Sequence, residues 1–113
     1  MKRDQIYLKH IREACDKIAA YVSVGKVAFL SQSHWHDATI RQLEIIGEAT
    51  KQLSMELRDS HAEIPWRRIA GLRDVLIHDY MGVDLDAVWE VTQGHLPALK
   101  EQVETILAEI DRD

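Results

Sequence analysis

Apolar side chains recur at spacings of three and four along almost the whole of this 113-residue chain, and that period marks helices that bury one face. Tyr7, Ile11, Ala14, Cys15, Ile18 and Val22 predict a first helix over about residues 4–23, closed by Gly25. A second and longest helix is expected from Trp35 to about Leu57, on the stripe Thr39, Leu43, Ile46, Thr50, Leu53 and Leu57. It is entered from an aperiodic stretch, Lys26 to His36, in which Ser31 and Ser33 offer N-caps. Gly47 inside it costs up to about 1 kcal/mol relative to alanine, which close packing against another backbone would explain.

The polar run Arg58 to Glu63 reads as a connection. Pro65 suits the first turn of a third helix, which is expected to carry Ile69, Leu72, Leu76 and Tyr80 to a stop at Gly82. Asp84 can cap a fourth through Leu85, Val88, Trp89 and Val91. Pro97 either kinks that helix or starts a fifth through Leu99, Val103, Ile106, Leu107 and Ile110. No strand alternation, repeat or low-complexity linker breaks the series. The expected fold is all-α, one domain over residues 1–113 built as an antiparallel bundle of four to five helices.

Composition agrees: 46% hydrophobic and 29% charged residues lie in the globular range. The net charge of -5 repels polyanions at long range, against non-specific nucleic-acid binding and against a DNA partner. An RNA contact would need a local basic site, and Arg67, Arg68, Arg73 and His78 are the densest candidate. The single Cys15 can form no intramolecular disulfide and reads as a small core residue, which suits a reducing compartment. The start MKRDQIYLKH lacks an apolar segment, and no window approaches a membrane span, so a cytoplasmic protein without a membrane partner is expected.

The densest functional candidate is Arg73-Asp74-Val75-Leu76-Ile77-His78-Asp79-Tyr80. On a continuous helix Arg73 and Tyr80 would fall within about 20° of each other, and His78 about 140° from Arg73. One straight helix cannot aim all three at a small ligand. Either the helix loosens near His78 or a second copy supplies the missing group across a symmetric interface. On spacing alone, an arginine near a histidine is more often a solvated face or a contact with a helix C-terminus. Tyr80, one turn beyond Leu76, reads as a partly packed ring with a wet hydroxyl.

The segments Arg41-Gln42-Leu43-Glu44-Ile45-Ile46-Gly47-Glu48-Ala49 and Ile64-Pro65-Trp66-Arg67-Arg68-Ile69-Ala70-Gly71-Leu72-Arg73, then His78-Asp79-Tyr80, Val83-Asp84 and Trp89, together resemble the HepT-like toxins. These are a branch of the HEPN domains, and the R-x4-H-x-Y motif after I-P-W is the most specific element. The resemblance implies an all-α homodimer with the motif of both copies near the interface. It also implies a toxin of a toxin–antitoxin pair, with a minimal nucleotidyltransferase as antitoxin partner. Arg73 and His78 match the family's ribonuclease pair, and Tyr80 the tyrosine that the transferase adenylylates. Asp74 matches the acidic or amide residue after the arginine. The implied activity is metal-independent cleavage of an RNA substrate. The competing class is a non-catalytic helical module that acts by docking a partner, which the negative net charge favours.

Other candidates are weaker. His34, His36 and Asp37 offer metal ligands, but residues two apart on a helix diverge by about 200°. Glu48, in a helix expected to be largely packed, reads as a paired structural carboxylate or as one that orients Arg73 or His78. Trp66 and Trp89 read as core or dimer-contact anchors rather than base-stacking platforms. No P-loop is present and no cofactor is expected.

Overall fold

The computed structural model describes the backbone of residues 2–72, 77–78 and 82–112. Within them are seven helices: α1 (Lys2–Val22), α2 (Lys26–Ser31), α3 (Ser33–Lys51), α4 (Met55–Ser60), α5 (Trp66–Ala70), α6 (Leu85–Gln93) and α7 (His95–Arg112). The long helices α1, α3 and α7 form the body, with α1 lying chiefly on α3 and, less extensively, on α7. The all-α bundle expected from the periodicity is the observed architecture. Every member of the Thr39 to Leu57 stripe is buried. Its two threonines satisfy their hydroxyls on the carbonyls one turn back, Thr39 on Trp35 (2.9 Å) and Thr50 on Ile46 (2.7 Å).

Several boundaries differ from the periodicity. The aperiodic stretch from Lys26 to His36 holds a short helix, α2, whose one buried residue is Phe29, and the first turn of α3. Six residues give a 3.6-residue period too little length to show. Gly25 separates α1 from α2 at φ 92, a conformation that glycine adopts without a Cβ penalty. Neither Ser31 nor Ser33 caps α3: the N-cap is Gln32, and the Ser31 hydroxyl donates back to the Val27 carbonyl at 2.7 Å.

The second predicted helix is two. It breaks at 52–54, where the Ser54 Oγ accepts from the Leu57 amide (3.1 Å) and caps α4. That break is fixed from the far end of the fold, since buried Asp4 accepts from the Ser54 amide (2.8 Å) and from its hydroxyl (2.7 Å). The stripe stays in phase across the break, so periodicity alone could not find it, and α1, at 21 residues, is the longest helix. The polar run at 58–63 is in its first half helical. Asp84 does cap α6, accepting from the Ala87 amide at 3.0 Å. Pro97 stands in the first turn of a separate helix, α7.

The third predicted helix ends early. α5 spans only Trp66–Ala70, with Pro65 at its N-cap. Further on, β1 (Ile77–His78) and β2 (Gly82–Val83) pair antiparallel, Ile77 opposite Val83 and His78 opposite Gly82. Ile77 and Val83 are β-branched and suit extended backbone, so the expected run of helix to Gly82 is not formed. Arg73 and Tyr80, expected to share one stripe of that helix, lie outside the described residues.

Candidate functional site

The site is built from α3 outward. Gly47 lies against the C-terminal end of α5: a Cβ at this position would meet the Ala70 carbonyl oxygen at 3.1 Å and that of Ile69 at 3.7 Å. The close backbone approach expected for this glycine is therefore present. It brings α3 against the last turn of α5, three residues before Arg73. α5 is held by buried Ile64 and Trp66, and the Trp66 indole donates to the His61 carbonyl at 3.1 Å. Trp66 is thus a core anchor, while Trp89 is partly buried with its ring 5.2 Å from that of Phe29.

Two carboxylates flank Gly47. On helical geometry Glu44 lies about 60° and Glu48 about 100° around α3 from it. Glu44 is half-buried. Glu48 is not packed as its place in the helix suggested: its side chain is 71% exposed and its partner is the Lys51 ammonium at 3.3 Å. Burial along α3 follows the face toward α1 and α5 rather than position in the chain.

Both carboxylates line a cleft of about 510 Å³ between α1 and α3, together with Tyr7, His10, Arg41 and Gln52. Gln52 accepts from the Arg3 guanidinium at 2.7 Å, that guanidinium lies 5.7 Å over the Tyr7 ring, and Tyr7 meets the His10 ring edge-on at 5.7 Å. Sequence reasoning missed Glu44, Arg41 and His10 as site candidates. The available signal was the spacing 41, 44, 48 and 52, a polar row on one face of a helix whose adjoining face is core.

Of the predicted catalytic, modification and supporting residues, Arg73, His78, Tyr80, Asp74 and Glu48, only Glu48 has its side chain described. Arg73, Asp74 and Tyr80 lie outside the described residues, and of His78 only the backbone, in β1, is described. Arg67 and Arg68 are exposed on α5. His36 is engaged by its Nδ1 at 3.0 Å from the Phe29 carbonyl. Among the described residues no group of three or more histidine, cysteine or acidic side chains gathers where it could hold a metal. No described helix is long and apolar enough to cross a membrane.

Cys15 packs as the small core residue expected, 4% exposed. Its burial, with the Asp16 carboxylate adding to it, pushes the thiol from its ordinary 9.0 up to about 12. It is therefore no nucleophile near neutral pH. Lys100 on α7 is raised from its ordinary value by the Asp16 carboxylate, 2.6 Å away, which ties α7 to α1.

The comparisons with known proteins agree with one another. The family model described as "Ribonuclease HepT-like" matches residues 11–106. The "Gamma-glutamylcyclotransferase and putative RNase MJ0434" of Methanocaldococcus jannaschii is 43% identical over 115 residues, covering 100% of this chain and 52% of that protein. The "Probable ribonuclease HepT" of Thermococcus cleftensis is 40% identical over 108 residues, 94% of this chain and 98% of that one. The "mRNA nuclease HepT" of Shewanella oneidensis is 30% identical over 103 residues, 90% of this chain and 68% of that one. This chain thus spans about half the length of the first of these relatives. No solved structure matches it. With the family model covering most of the bundle, the chain belongs to the HepT-like ribonuclease family.

Proposed function

We propose that the chain is a metal-independent endoribonuclease toxin, active as a homodimer, with Arg73 and His78 as its catalytic residues. One observation carries the reading: a chain of this ribonuclease family has R-x4-H-x-Y in its sequence, three residues after the Ala70 carbonyl that packs against Gly47 of α3. Arg73 follows Ala70 by three residues in sequence. Glu44 and Glu48 are then the carboxylates that orient the guanidinium, and Asp74 supports it from the next position.

The chemistry suits these side chains. RNA cleavage without a metal needs a base for the 2'-hydroxyl proton, an acid for the leaving oxygen and a cation on the phosphate. The His78 imidazole takes the proton as the 2'-oxygen bonds to phosphorus. The bond from phosphorus to the 5'-oxygen breaks, and that oxygen receives a proton from the protonated His78 imidazole of the second copy. Arg73 balances the charge on the non-bridging oxygens through its planar fork. One His78 per chain covers one proton transfer, which supports a site shared by two copies. Light scattering should report about twice 13.0 kDa, and a clean monomer would remove the shared site.

Neutralisation follows from Tyr80. A partner nucleotidyltransferase joins the Tyr80 oxygen to the α-phosphorus of ATP, pyrophosphate leaves, and the phenolic proton is lost. The new phosphodiester is anionic and bulky, and two residues from His78 it competes with RNA for Arg73. Intact mass after co-expression with the transferase should show added AMP units that vanish in Tyr80→Phe while toxicity remains. An adduct that persists in Tyr80→Phe would point to simple complex formation instead. For the nuclease itself, purified protein with defined RNA should cleave it, and Arg73→Ala and His78→Ala should each abolish cleavage. Intact RNA at high protein concentration would leave the non-catalytic docking module as the better account.

A further inference from the structure

The α1–α3 cleft carries Arg41 and His10 among its lining residues. α1 and α3 run antiparallel, since Arg3 and Asp4 at the start of α1 reach Gln52 and Ser54 beyond the end of α3. Moving up α1 from Arg3 to His10 corresponds to moving down α3 from Gln52 toward Arg41. His10 and Arg41 therefore share the far end. Both are exposed, and among the described residues Arg41 makes no hydrogen bond or ion pair, while His10 has only its ring contact with Tyr7.

We infer that Arg41 and His10 hold a backbone phosphate of single-stranded RNA at a position beyond the cleaved bond. This rests on the ribonuclease reading and names a subsite for it. The cleft has the right extent: Arg41 to Gln52 is eleven helical residues, about 16 Å, longer than one nucleotide. Glu44 and Glu48 line the same cleft as Arg41 and His10, on the α3 turns that also carry Gly47, the residue packed against α5. The acidic pair does not cancel the site. Glu48 is met by Lys51 at 3.3 Å, and the Arg3 guanidinium stands at the Gln52 end. A carboxylate row beside a cationic end also fixes where along the groove a phosphate can sit.

The test is binding rather than turnover. A fluorescent single-stranded RNA with 2'-O-methyl riboses cannot be cleaved by attack of the 2'-oxygen, and its affinity is read by anisotropy over a salt series. Arg41→Gln should weaken binding about tenfold at low salt and flatten the slope of log affinity against log salt by about 0.7, the value for one phosphate on a single strand. His10→Gln should act in the same direction. Lys26→Gln, the same loss of charge on exposed α2, should change little, and circular dichroism should confirm that each variant is helical. An Arg41→Gln protein that binds like the wild type, or a Lys26→Gln protein that loses as much, overturns the subsite. So does a wild type that does not bind this RNA. Arg41-dependent binding by a protein that leaves cleavable RNA intact would keep the subsite and refute the nuclease reading alone.

Discussion

Gly47→Ala sets two calculable effects against each other. Alanine in the interior of a helix is favoured over glycine by about 1 kcal/mol. Against this, the new Cβ would stand 3.1 Å from the Ala70 carbonyl oxygen, a few tenths of an ångström inside comfortable contact. The neighbour is backbone, so no side chain can swing away; α5 itself must retreat. It is pinned by buried Trp66 and Ile64, and overpacking a fixed contact costs about 1–3 kcal/mol. The net is a loss of about 1 kcal/mol, or a Tm lower by roughly 4–5 °C for a domain of this size. Activity should fall further than stability. If 1 Å of misplacement costs about a hundredfold in rate, a shift of 0.3 Å at the segment that leads into Arg73 costs roughly fourfold. Thermal unfolding by circular dichroism and initial rates of RNA cleavage, both well below Tm, measure the two effects. A higher Tm with unchanged cleavage would show helix propensity acting alone and would refute the contact between α3 and α5 as the feature that positions the motif.

Asp4→Ala leaves the Ser54 amide and hydroxyl without their buried partner and loosens the α4 cap; urea unfolding should show a loss of about 2–3 kcal/mol, and a change under 0.5 kcal/mol would contradict the link. Cys15 keeps its proton in the folded state up to about 12 against an ordinary 9.0, so its contribution to stability is intact below pH 9 and is lost as pH rises toward 12. The stability difference between wild type and Cys15→Ala should therefore fall by about 1.4 kcal/mol per pH unit above pH 9, where a flat difference would count against the burial. Native Cys15 should also resist iodoacetamide at pH 8 over hours and react at once in urea.

What the sequence made legible was set by local physics. The stripes of α1, α3 and α7, the Asp84 cap, the packing of Cys15 and the tight approach at Gly47 follow from residue types whose effect reaches no further than a turn or a neighbouring helix. The break at 52–54 was hidden because Asp4, fifty residues away, secures it while the stripe continues in phase. α2 was hidden by its length. The end of α5 was misread because Leu72, Leu76 and Tyr80 keep a helical spacing that β-branched Ile77 and Val83 do not follow. At the site, the family motif was visible in order and type, but its supporting face was not. Glu48 was chosen for its place inside a helix; Glu44 and Arg41 share its row on α3, and only the packing of α1 on α3 brings His10 to them.

The most direct measurement is cleavage of a defined 5'-labelled RNA by the purified protein in excess chelator, with the product ends identified. The account predicts fragments carrying 2',3'-cyclic phosphate and 5'-hydroxyl ends, formed at the same rate with and without chelator and absent with Arg73→Ala or His78→Ala. Fragments with 5'-phosphate ends, cleavage that stops in chelator, or cleavage that survives both substitutions would contradict it.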